Sequence, residues 1–189
     1  MKKKSKILYF LQEVAIVVTG VIIAVSIGSY KEKTDNQKYL KKTLLAIENE
    51  IELSKSDLDT VFNKHLNLME AIQSEIGQNE KTLGDLIGSL GGVQVATIKN
   101  ISLRFFVANK AELLDFKLIT QLIEIEQQAG ILSEKIERLV DHSYKNLSST
   151  EDEAKIAFTF LLSDVIESEE SLLDAYNNFL KKNKEYLEK

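Results

Sequence analysis

Two histidines, several acidic pairs and one glutamate inside an apolar run are the residues whose types bear on chemistry. His65 and His142 have no His-Glu-x-x-His spacing, so a metal site would need carboxylates from elsewhere in the fold. His65 falls on an apolar repeat, where a hydrogen-bonded core histidine is the expected outcome. Glu124/Glu126, Glu151–Glu153 and Glu167/Glu169/Glu170 read as solvated helix faces, and glycoside hydrolysis would need two carboxylates across a cleft. Gly88-Ser89-Leu90-Gly91-Gly92 lacks the lysine and the preceding strand of a phosphate loop. The chain has no cysteine, which excludes a disulfide, a thiolate nucleophile and a sulfur-ligated metal. The expectation is a non-enzyme with no catalytic, cofactor-binding or metal residues.

Glu13 is the exception that needs an element around it. It lies in Ile7–Ser29, behind the basic leader MKKKSK, in a run close to the roughly 20 residues a helix needs to cross a bilayer. Inside lipid the backbone must bond to itself, so this run is expected to be a transmembrane helix. A cleaved signal peptide is the rival, with Ala24-Val25-Ser26 as its small-residue site, though the run exceeds the usual ~7–15 apolar residues. At ~100° per residue Glu13, Gly20 and Ala24 fall within about 40° of one another, with Gly28 trailing. Gly20-xxx-Ala24-xxx-Gly28 is a ladder that lets helix backbones approach closely in lipid. These four residues are the candidate site for helix packing or oligomerisation. Glu13 either reaches back to the basic interface, self-associates, or handles an ion.

Gln12-Glu13-Val14-Ala15-Ile16-Val17-Val18-Thr19-Gly20-Val21-Ile22-Ile23-Ala24, then Ile27 and Tyr30-Lys31-Glu32, resembles the N-terminal signature of an uncharacterised Bacteroidota family of small single-span membrane proteins. That pattern runs Gly-Glu-Ile-x-Leu-Val-x-x-Gly-Ile-x-Ile-Ala, with a Trp before the charged helix. Gln12 stands here for the glycine and Tyr30 for the tryptophan. The resemblance covers about thirty residues and implies an inner-membrane protein with a helical domain and no known activity. Separately, Arg138-Leu139-Val140-Asp141-His142 resembles the Arg-x-x-x-x-His motif of HEPN ribonucleases, one residue short. Some CRISPR-associated membrane accessory proteins join one span to a degenerate HEPN-like bundle and assemble into pores. An exposed Arg138 paired with Glu137 or Asp141 is the plainer reading.

Charge is unevenly placed. Residues 1–42 carry nine Lys against three acids, net +6, while residues 43–189 carry 15 Lys and Arg against 26 acids, net −11. An acidic domain offers no face for phosphates, so no nucleic acid partner is expected. The basic flank suits anionic lipid headgroups. Lys2, Lys3, Lys4 and Lys6 before the span tip the balance toward a cytoplasmic N-terminus, which places the domain in the periplasm.

The rest of the chain supplies helices. It has no proline, and glycines 84, 88, 91 and 92 cluster. Apolar positions alternate at three and four from Leu40 through Leu44, Ile47, Ile51, Ser54, Leu58, Val61, His65, Leu68 and Ile72 to Ile76. Gly77-Gln78-Asn79 ends that helix. Asn79 or Thr82 caps a short helix through Leu90, Gly91-Gly92 turns, and a second short helix starts near Asn100, with a strand at Val93–Ile98 as an alternative. The heptad resumes from Asn109 to Leu147 on Ala111, Leu114, Leu118, Leu122, Ile125, Ala129, Leu132, Ile136 and Leu139. Thr150 and Glu153 form a capping box for a last helix on Ala154, Phe158, Leu161, Val165, Leu172, Ala175, Phe179 and Tyr186.

The expected fold is all-α: a tail 1–6, a transmembrane helix 7–29, and a helical-bundle domain 30–189 with an insert at 77–110. Three long helices form an antiparallel bundle, or pair between chains. The expected function is non-enzymatic homo-oligomerisation or partner docking at a bacterial inner membrane. An oligomeric membrane pore or phage-defence effector is the alternative.

Overall fold

The computed structural model describes residues 2–110 and 113–187, with side chains from Tyr9 to Lys184 apart from Asn109. Ala111 and Lys189 lie outside the described residues, and so does the Tyr186 side chain. The chain is all-helical, with no strand among the described residues. Its helices are α1 (Lys2–Glu75), α2 (Leu83–Ser89), α3 (Ile101–Lys110), α4 (Phe116–Asn146) and α5 (Asp152–Leu187). It divides into two compact units, Met1–Lys42 and Thr43–Lys189. Residues 30–42 fall with the N-terminal unit in this division, and helix α1 runs unbroken through Ser29.

In the first unit every described side chain from Tyr9 to Lys33 is exposed. Thr19 Oγ1 donates to the Ala15 carbonyl at 2.8 Å, so the helix satisfies this hydroxyl itself. The apolar stretch reaches a mean hydropathy of 2.2 with none of it buried. Among the described helices only α1 is long and apolar enough to cross a membrane.

The second unit encloses its own core. From Leu44 to Ile72 the three-four series is buried at each expected position, and only Ile76 is partly exposed. Past Glu75 the chain turns through Gly77 at φ +87°, a conformation that favours glycine. Three links set the register of α5 against α1. Asn183 Nδ2 donates to Glu48 at 2.9 Å, His65 meets Glu169 at 2.9 Å, and Lys155 Nζ donates to the Glu75 carbonyl at 3.2 Å. Residue numbers rise along α1 as they fall along α5, so the two helices run in opposite directions. α4 packs against α5.

α2 begins with a capping box: Thr82 Oγ1 accepts from the Asp85 amide at 3.0 Å, and Asp85 accepts from the Thr82 amide at 3.2 Å. The Thr82 hydroxyl and amide hold the Asp85 carboxyl below its ordinary value. The next amides dock on the α4–α5 turn, Leu83 N–H to Ser149 O at 2.9 Å and Gly84 N–H to Leu147 O at 2.8 Å. A Cβ on Gly84 would sit 2.7 Å from that Leu147 oxygen, so the approach needs glycine.

Several boundaries differ from expectation. α4 starts at Phe116 rather than Asn109, because Asp115 caps it by accepting from the Lys117 amide at 2.7 Å. The insert therefore spans 76–115 rather than 77–110. Residues 93–98, where a strand was the alternative, form neither helix nor strand. α5 starts at Asp152 without the Thr150 box. Ser149 Oγ takes the Glu151 amide at 3.2 Å, and the Asp152 carboxylate is drawn to the Gly77 amide at 2.9 Å. On α5, Leu162 and not Leu161 is buried, and on α4 Ala129 and Ile136 are only half-buried.

Candidate functional site

The four residues singled out on the apolar run lie in one helix and are exposed. A Cβ built on Gly20 or Gly28 meets nothing within 4 Å. The Gly20-Ala24-Gly28 ladder is thus an open face of that helix. Glu13 makes no hydrogen bond or ion pair among the described residues. The structure leaves this face unpartnered.

In the second unit the polar chemistry is buried instead. His65 is 1% exposed and Glu169 0%. The His65 Nδ1 lies 2.9 and 3.1 Å from the two Glu169 oxygens, and its Nε2 lies 3.1 Å from the Gln94 carbonyl. Both ring nitrogens face oxygens, so the layer needs two protons between His65 and Glu169. They sit as imidazolium and carboxylate, or as neutral imidazole and carboxylic acid. Either way the pair is neutral overall, which suits its burial. Almost fully covered, the pair ties α1 to α5.

That pair is one of four anchors for the irregular 93–100 segment and the start of α3. The Asp57 carboxylate accepts from the Thr97 amide at 2.6 Å, Ser54 Oγ from the Lys99 amide at 2.8 Å, and the Glu50 carboxylate from the Ser102 amide at 3.0 Å. Glu50, Ser54, Asp57 and His65 thus bind this segment through side chains rather than through a β-ladder. Tyr176 is buried beside Ser54, whose Oγ already donates to the Glu50 carbonyl at 2.7 Å, so the phenol makes no hydrogen bond of good geometry. Burial pushes the Tyr176 phenol up to about 12, with the Ser54 hydroxyl opposing that shift.

Between this segment and α4 lies a cleft of about 350 Å³ lined by Val95, Ile98, Ala129, Gly130, Ser133 and Ile136, among others. At its mouth Arg104 Nε pairs with Glu126 at 3.3 Å, both partly exposed. Ala129 and Ile136, expected in the core, are half-buried and line this cleft.

Compared with known proteins, the chain matches no family model, no curated protein and no solved structure.

The other sequence candidates do not converge. His142 Nε2 faces the Ala154 carbonyl at 3.1 Å, while Arg138 is exposed and 4.0 Å from Glu134. Among the described residues no group of three or more His, Cys, Asp or Glu side chains is placed to hold a metal ion. Glu167 and Glu170 are exposed as expected, but Glu169 is buried, and sequence reasoning missed it. His65 on a heptad position was its one signal: a buried ring wants a polar partner on a facing helix.

Proposed function

We propose that this chain is a non-enzymatic single-span protein of a bacterial inner membrane, of the kind the Bacteroidota signature implies. Residues 7–29 cross the bilayer with the N-terminus cytoplasmic. The 43–189 unit, an antiparallel bundle of three long helices with a helical insert, stands in the periplasm. It acts by contact, with a second copy or another membrane protein.

One observation carries the reading: an apolar helical stretch of mean hydropathy 2.2 with none of it buried. Covering a large apolar side chain is worth ~1.5–3 kcal/mol, so leaving a dozen in water would cost tens of kcal/mol. Lipid removes that cost. The second unit has no such need, since its own stripe is already enclosed. Pairing between chains through the heptad is thereby disfavoured, and self-association falls to the Glu13, Gly20, Ala24 and Gly28 face.

The chain has no cysteine, so Ala24→Cys and Ile22→Cys each introduce a unique thiol. Oxidation in native membranes is expected to give disulfide dimers for Ala24→Cys and few for Ile22→Cys, which lies on the opposite face. Monomers at both positions, with no co-purifying protein, would overturn the proposal. Glu13, unpartnered within an apolar face, favours a second reading as a pore. Ion flux from liposomes holding the wild type but not Glu13→Ala would select it.

A further inference from the structure

We propose that the end of the 43–189 unit at which the chain enters is a docking surface for anionic lipid headgroups, an inference that rests on the membrane-spanning reading above. Three observations locate that end. Asn183 of α5 bonds Glu48 at 2.9 Å. Ile125 and Ala129 of α4 share a crevice with Ile47 and Ile51. The far end of α4 instead meets α2, where Leu147 O accepts from Gly84. α4 therefore runs the same way as α1, and Phe116, nine residues before Ile125, lies about 13 Å further toward the Thr43 end.

That end combines an aromatic residue with cations. Phe116 is 80% exposed, so this end carries an aromatic ring at its surface. Lys117 follows it, and Lys181, Lys182 and Lys184 project from the end of α5, all exposed. Asp115 is spent on capping α4 and Glu48 on Asn183. The rest of the unit is acidic, so its 15 cations stand against 26 acids overall. An anionic surface repels such a body least where these lysines lie, and aromatic rings beside lysines suit the headgroup level. The tether is short as well. Residues 31–42 reach at most ~40 Å even if fully extended, which keeps the unit close to whatever holds the span.

The chain has no tryptophan, so Phe116→Trp gives a single reporter in the full-length protein. It is reconstituted into vesicles with brominated acyl chains, either pure phosphatidylcholine or one-third phosphatidylglycerol. The introduced indole is expected to be quenched at least twofold more in the anionic vesicles. The difference is expected to vanish in 1 M salt, where screening acts within ~3 Å, and in a variant with Lys117, Lys181, Lys182 and Lys184 changed to Glu. Phe160→Trp is the control. The links of Lys155 to Glu75 and Glu169 to His65 place it near the other end, and it should show no such difference. Equal quenching in both lipids, quenching insensitive to salt, or equal quenching of the Phe160 reporter would overturn the proposal. Failure of the span itself shows separately, as protein that does not float with either vesicle.

Discussion

Removing the His65 ring leaves Glu169 buried without its partner, and burying an unpaired carboxylate is costly. His65→Leu is therefore expected to cost about 3–5 kcal/mol in urea unfolding, while the double variant His65→Leu/Glu169→Leu costs well under the sum of the two single changes. Additive losses would show that the pair is not coupled. Tyr176 is expected to make the fold sensitive to alkaline pH. Its phenol is raised from the ordinary value of 10.0 to about 12, so the folded state holds the proton more tightly than the unfolded chain. That contribution is complete below pH 10 and is lost as pH rises through 12, an expected fall of ~2–3 kcal/mol. Helicity followed by circular dichroism against pH should show the fall, and Tyr176→Phe should flatten it over the same window.

At the scale of elements, two glycines in helices have opposite roles. Gly84 lets α2 dock, and a methyl there meets the Leu147 carbonyl at 2.7 Å. Gly84→Ala is expected to destabilise by about 1–3 kcal/mol and to expose the Leu83 and Gly84 amides to hydrogen exchange. Gly130 sits mid-α4 with nothing within 4 Å of a built Cβ, so Gly130→Ala is expected to stabilise by up to ~1 kcal/mol. Equal effects at both sites would contradict the α2 docking. The α1 stripe from Leu44 to Ile72 was legible because a long helix repeats its apolar spacing many times. The Thr82 cap and the Gly77 and Gly91-Gly92 turns were legible from residue type. The start of α4 was not: Leu114 continues the heptad in sequence, and only the Asp115 cap breaks it. Glu169 was hidden for a different reason. Its partner lies 104 residues away, and its neighbours Glu167 and Glu170 are ordinary exposed acids. The cleft beside Ala129 and Ile136 was equally silent, since local spacing cannot show where a surface cleft forms.

For the whole molecule, the two units call for different surroundings. One shows an apolar face with no cover of its own, and the other has folded its stripe inward and turned an acidic surface to water. A lipid tether on a water-facing contact domain satisfies both. The decisive measurement is alkaline carbonate extraction of native membranes, with the intact mass of the recovered chain. The expected result is a full-length polypeptide that stays in the pellet with residues 1–29 attached. Recovery in the aqueous supernatant, cut near Ser26, would contradict it.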